Sequence, residues 1–215
     1  MNCCEDTFKA AEKGHLECLK SLYSQGVKWD FYTTSITARN GHLECLKYAH
    51  KNGCEWHPLT IISATENGHL ECLKYAHENG FKFRDITWTA SRNGQLECLK
   101  YAHENECEWS EYTDYHAAYY GHLECLFYCL ENGCPIHPYT LSILCEKQTN
   151  KNLLTNLLLR KILLHPKMKN NITEYQDFVK AIQNYEKHIN KVYKLLHLKT
   201  TLPTDIIKYE LLKYL

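Results

Sequence analysis

The stretch RNGHLECLKYAHKNG, residues 39–53, decides how this chain reads. Leu43, Leu46 and Ala49 fall at i, i+3 and i+6 with Cys45 beside them, which makes one helix face apolar. Glu44 and Lys47 stand three apart on the outer side, where they can pair weakly. Gly53 follows, as a residue with positive φ does at a helix C-terminus. The same words recur as EKGHLECLKSLYSQG (12–26), ENGHLECLKYAHENG (66–80), RNGQLECLKYAHENE (92–106) and YYGHLECLFYCLENG (119–133). The first glycines, Gly14, Gly41, Gly68, Gly94 and Gly121, are spaced by 27, 27, 26 and 27 residues. Trp29, Trp56, Phe83, Trp109 and Ile136 keep that beat, and so do Thr33, Thr60, Thr87, Thr113 and Thr140.

Each unit reads as two helices. The longer covers about 42–52, and the shorter runs from Thr60 to Glu66, with Ala64 small enough for a neighbour to approach closely. A loop of about seven residues, GCEWHPL, joins them. One unit cannot bury its apolar stripe alone, so the units must stack and the end units must be capped. In the first unit the short helix, expected over Cys4–Glu12, carries Glu5, Asp6 and Lys9, which suits a solvated cap. At the other end the pattern decays, with Gln148 where a glycine is due.

The recurring A-x-x-N-G-H-L-E-x-L-K resembles the core of the ankyrin repeat, over roughly residues 3–147. The resemblance implies an all-α solenoid of helix–turn–helix units with a C-terminal helical cap. The usual ankyrin unit has about 33 residues and a β-turn finger. Six residues fewer, all from the loop after the longer helix, imply that no β-hairpin projects. Thr stands where the usual repeat has Pro. This short, Cys- and Trp-rich form is similar to the ankyrin arrays of large DNA viruses and of some amoebae and oomycetes, and that likeness implies a viral origin.

Three segments are expected: repeats over 1–147, capping and long amphipathic helices over 148–199, and a terminal helix over 200–215. Thr173 to Gln176 has capping-box spacing. Tyr175, Phe178, Ile182, Tyr185, Ile189, Val192 and Leu196 then form a heptad-like stripe, read as a helix laid on the last repeat or as a dimerising coiled coil. The end, LPTDIIKYELLKYL, resembles the first helix of an F-box through Leu202, Pro203, Asp205, Ile206, Ile207, Leu211 and Leu215. Glu210 departs from that pattern, and the spacing to the last leucine is one residue long. In poxviral ankyrin proteins a truncated F-box recruits a cullin-type ubiquitin ligase through its adaptor. The resemblance therefore implies an adaptor-binding set of Leu202, Pro203, Ile206, Ile207 and Leu211. The other reading is a plain amphipathic cap.

Composition narrows the function. Lys+Arg and Asp+Glu are 25 each, so there is no basic excess to draw nucleic acid. No apolar run approaches the about 18 residues of a membrane span. The start has no signal-peptide core, so the twelve cysteines are expected as reduced thiols in a cytoplasmic or nuclear protein. Cys18, Cys45, Cys72, Cys98 and Cys125 share one helix slot, where free cysteine packs as a small apolar residue. His42, His69 and His122 share the turn slot, and Gln95 takes it in the fourth unit, which points to hydrogen bonding rather than metal. No Cys-x2-Cys pair, nucleophile motif or phosphate loop occurs, so neither a metal, a cofactor nor catalysis is expected. The recurring tryptophans read as packing between repeats.

Function is left to a partner protein, bound by a monomer. In ankyrin arrays the short helices and adjoining turns line the binding face. Carried over, the exposed positions are Ile61, Trp88, Asp114 and Leu141 after each Thr, and Arg39, Glu66, Arg92 and Tyr119 before each turn, with Tyr115, His116 and Tyr120 nearby. The partner set is thus Arg39, Trp88, Arg92, Asp114, Tyr115 and Tyr119. It is centred on Trp88, Arg92, Tyr115 and Tyr119, since aromatics and Arg anchor interfaces.

Overall fold

The computed structural model describes residues 4–83, 85–140 and 143. Ten helices follow one another with no strand among the described residues. The short ones are α1 (Thr7–Glu12), α3 (Thr33–Arg39), α5 (Thr60–Glu66), α7 (Ile86–Arg92) and α9 (Thr113–Tyr120). The longer ones are α2 (Leu16–Ser24), α4 (Leu43–Lys51), α6 (Leu70–Glu78), α8 (Leu96–Glu104) and α10 (Leu123–Glu131). Each short helix packs on the next short one and on the long helix of its own unit, so the chain is a one-dimensional stack. Among the described residues the loops carry no β-hairpin, in keeping with their length. The first short helix starts at Thr7, later than expected, because the Asp6 carboxylate accepts the Lys9 N–H at 2.7 Å and fixes the N-terminus there. The capping helices of 148–199 and the terminal helix of 200–215, with Leu202, Pro203, Ile206, Ile207 and Leu211, lie outside the described residues.

Two glycines shape each unit. In the second, Cys54 N–H donates to Ala49 C=O at 2.9 Å and Gly53 N–H to His50 C=O at 3.1 Å. At the inner turn His42 N–H reaches Thr37 C=O at 2.9 Å and Gly41 N–H reaches Ala38 C=O at 3.3 Å. Both are the paired closing bonds that end a helix on a left-handed residue, with Gly53 at φ 82° and Gly41 at φ 71°. The inner glycine has a second duty. A Cβ on Gly41 would lie 2.6 Å from His69 Nδ1, so the bare backbone is the seat for the next unit's ring.

That contact explains the Gly-His pair. His42 Nε2 lies 3.1 Å from Glu12 C=O, and Gln95 Nε2 donates to Glu66 C=O at 3.3 Å. Imidazole and carboxamide thus reach the same carbonyl of the preceding unit, which is why Gln95 can replace histidine.

Between the helices the core is a ladder. Leu19, Leu46, Leu73, Leu99 and Leu126 are all fully buried. Ala10, Ala64, Ala90 and Ala117 share one buried slot on the short helices, and in α3 Thr37 fills it with its hydroxyl donating to Thr33 and Thr34 C=O at 2.9 Å. Burial pushes the Cys45, Cys72 and Cys98 thiols up to about 11 and Cys125 up to about 12. These are apolar spacers, as read from the sequence. Cys18 departs from that reading: it is disulfide-bonded.

The outer face repeats too. Lys20, Lys47, Lys74 and Lys100 each pair with the glutamate three residues before, at 2.7–2.9 Å. The tryptophans knit neighbouring units: Trp29 Nε1 donates to Asn52 C=O at 2.9 Å, and Trp56 and Trp109 meet Tyr75 and Tyr128 edge-on.

Candidate functional site

The side of the short helices that no neighbour covers is where this frame varies. Its positions follow from helix register. In α9, Thr113 and Asp114 are buried, Tyr115 and His116 half-buried, Ala117 and Ala118 buried, and Tyr119 and Tyr120 exposed. The second buried slot is a polar hinge between units. Thr34 Oγ1 donates to Glu55 C=O at 3.3 Å and accepts His57 N–H at 2.9 Å; Thr87 does the same with Glu108 C=O and Ser110 N–H at 3.1 and 3.2 Å.

This register corrects part of the expected partner set. Ile61 and Asp114 occupy the hinge slot and are buried, 1% and 0% exposed, so neither is displayed. Asp114 Oδ2 accepts the Thr140 hydroxyl at 2.6 Å and His137 N–H at 2.9 Å. Burial holds its carboxyl above the usual carboxylate range, and these hydrogen bonds only partly offset that. Trp88 is different because Thr87 is not the equivalent of Thr60. Thr60 stands eight residues before its glycine and Thr87 seven, since the loop between Phe83 and Ile86 has lost a residue. Ile86 takes the Thr60 slot, Thr87 the hinge slot, and Trp88 the slot of Tyr115. Asp85, at φ 51°, takes up the backbone adjustment of the shortened loop. Leu141 lies outside the described residues.

Four of the expected anchors do come together. The Arg92 guanidinium lies 5.8 Å from the Trp88 ring and 5.5 Å from that of Tyr120. His116 bridges the two helices, 5.4 Å from Trp88 and 6.0 Å from Tyr120. Tyr115 stacks on Tyr119 at 6.0 Å and meets His137 edge-on at 4.9 Å. Burial, then the Arg92 and His137 charges, hold the His116 ring below its usual titration range, so it is neutral at pH 7. Its Nδ1 has no hydrogen-bond partner. Arg39 is exposed at the end of α3, two short helices away from α7, and is not part of this group.

Sequence reasoning missed the loop side of the patch. Tyr112 lies 5.3 Å from His137, which lies 5.6 Å from Tyr139. Tyr32, Leu59, Tyr112 and Tyr139 all stand immediately before a Thr, and they are 51%, 49%, 45% and 65% exposed. The signal was available. The residue before each Thr is large and apolar in all five units, although in the shortened one it is the buried Ile86 and Asp85 holds the exposed place, whereas the reading took the residue after it.

Together these features define a class: a helical repeat solenoid of ankyrin type with an aromatic, Arg-bearing patch on its short helices. The chain is similar to the crystal structure of the human ASB11 ankyrin repeat domain. The TM-score is 0.59 at 21% identity, covering 74% of this chain and 84% of that one. No protein-family model and no curated protein matches the sequence. Among the described residues no helix is long and apolar enough to cross a membrane.

Proposed function

We propose that the chain is a protein-binding scaffold without enzymatic activity, and that its partner seats on Trp88, Arg92, Tyr115, Tyr119 and Tyr120. The observation that carries this is the exposure of Tyr119 and Tyr120, 48% and 44%, with the Arg92 guanidinium 5.5 Å from the Tyr120 ring. A cluster of large apolar side chains left in water marks an interaction site. Tyrosine offers much contact area for little lost rotamer freedom, and Arg92 adds a charge already held over two rings. The loop row from Tyr32 through Leu59 to Tyr112 extends the face along the array.

Arg92→Ala with Tyr119→Ala tests this, because both side chains are exposed and their loss leaves the core intact. Truncating hot-spot residues costs about 2 kcal/mol, or roughly 30-fold in affinity. Capture of partners by the wild-type chain, compared with the double variant at unchanged thermal stability, should show that loss. Equal capture by both would move the binding face elsewhere.

A second reading rests on the F-box-like pattern at Leu202, Pro203, Ile206, Ile207 and Leu211. In it the chain is a viral adaptor in the host cytoplasm that presents its bound protein to a cullin-type ubiquitin ligase. A purified ligase adaptor should then bind the full chain but not residues 1–199 or Leu202→Ala with Pro203→Ala. Absence of binding to the full chain leaves the plain scaffold.

A further inference from the structure

The first unit departs from the repeat in one place. Cys4, His15 and Cys18 bring one ligand atom each within 4.8 Å of one another. Cys4 Sγ and His15 Nδ1 are 3.4 Å apart. On a tetrahedral zinc ion, with Zn–S near 2.3 Å and Zn–N near 2.0–2.1 Å, such a pair is about 3.5 Å apart. Both helix-slot residues behave unlike their equivalents. His42, His69 and His122 each close over a glycine of the unit before; no described glycine lies under His15, whose ring faces Cys4. Cys45, Cys72, Cys98 and Cys125 are no more than 2% exposed, whereas Cys18 is half-buried. Cys4 follows no repeat slot, yet it is 5% exposed within a small satellite core of Ala10, Leu19, Leu22 and Cys45.

We propose that Cys4, His15 and Cys18 form a zinc-binding cap on the first unit, filled when the Cys18 disulfide is reduced. The local structure prepares the ligands. His15 precedes the first residue of α2, and Cys18 lies in its first turn, where the helix dipole favours a thiolate. Two thiolates and one imidazole make a Cys2His donor set, which holds zinc with water in the fourth position. Disulfide and metal site exclude each other. A thiol reductant opens the disulfide, two reductant sulfurs leaving as their own disulfide and two protons passing to the protein sulfurs. Zinc then displaces protons from the thiols as it binds. The ion would tie α1 to α2 in a unit whose own core is small.

The full chain, reduced with excess thiol and desalted without oxygen, is titrated with Co2+ and then with Zn2+. One equivalent of Co2+ should give a thiolate-to-metal charge-transfer band, which one equivalent of Zn2+ abolishes. Cys4→Ser, His15→Ala and Cys18→Ser should each lose the band while keeping wild-type helical circular dichroism, and Cys107→Ser should retain it. Peptide mapping after alkylation gives an independent readout: Zn2+ should shield Cys4 and Cys18 of the wild-type chain from labelling. The unreduced chain should bind no metal. A reduced, folded wild type that neither shows the band nor shields Cys4 and Cys18 overturns the site, as does a band undiminished by Cys4→Ser and His15→Ala.

Discussion

Glu106 holds the place of Gly26, Gly53, Gly80 and Gly133, and it keeps their backbone, at φ 64°. The loop has not found another way to end the helix: Cys107 N–H still reaches Ala102 C=O at 3.0 Å and Glu106 N–H still reaches His103 C=O at 3.1 Å. A side chain in this region costs on the order of 1 kcal/mol. Glu106→Gly should therefore raise the stability of the array by up to about that amount in urea unfolding; no gain would mean that Glu106 makes a compensating contact. Glycines replaced by alanine respond in the opposite sense. Gly53→Ala places a methyl where nothing lies within 4 Å, so only the φ strain is felt. Gly41→Ala drives a methyl into the His69 ring at 2.6 Å, and overpacking adds about 1–3 kcal/mol. The two variants, measured side by side, separate backbone strain from the inter-unit contact, and equal losses would deny His69 its seat.

At the scale of helices and hinges, Asp114 is the odd member of a slot otherwise held by Thr7, Thr34, Ile61 and Thr87. A threonine there donates and accepts; a carboxylate only accepts, and Asp114 Oδ1 is left without a partner. Its folded pKa is raised above 3.8, chiefly by burial. The stability it contributes is whole below 3.8 and is lost as pH rises through the folded value, so at pH 7 it weakens the α9 hinge. Asp114→Thr should stabilise the chain at pH 7, with a gain that shrinks as pH falls toward 3.8. A gain independent of pH would point to packing instead. Histidines act the other way. Burial lowers His50 and His57, and burial with nearby charge lowers His116, all from 6.5. The unfolded chain takes up those protons first, so these groups remove stability as pH drops below 6.5. The Tyr75 hydroxyl lies 3.0 Å from His50 Nδ1; in the tautomer with a bare Nδ1 the ring accepts its hydrogen, and protonation of Nδ1 removes that bond. Thermal melts should show Tyr75→Phe with a shallower acid decline than wild type; an unchanged slope would mean the His50 ring is held neutral by burial alone.

Across the whole array, the thiol ladder reports on cooperativity. Cys45, Cys72, Cys98 and Cys125 lie between successive units, so their exposure requires neighbours to part. With pKa values of about 11 to 12 they carry almost no thiolate at neutral pH. In native buffer, alkylation followed by mass spectrometry should leave all four unlabelled, and in urea their labelling should track the loss of helical signal. Early labelling of one cysteine would locate a break between units. The first place to look is α5 against α7, where Ile61 supplies no polar hinge and the following loop is a residue short.

Much of this molecule could be read before any coordinates. Period, helix pair, missing finger, Leu and Cys ladders and the left-handed Glu106 all follow from short-range rules, because each unit contacts only itself and its neighbours. The displayed face did not follow so directly. Counting from threonine placed Asp114 and Ile61 outward, but the register is set by the glycine turn, and one residue missing before α7 shifts Trp88 into view. Those details depend on which side of each short helix the next unit covers. The meeting of Cys4 with His15 and Cys18 lay further still from the repeat. It joins residues 11 and 14 positions apart that no periodicity links, and only the packing of α1 against α2 brings their side chains to one point.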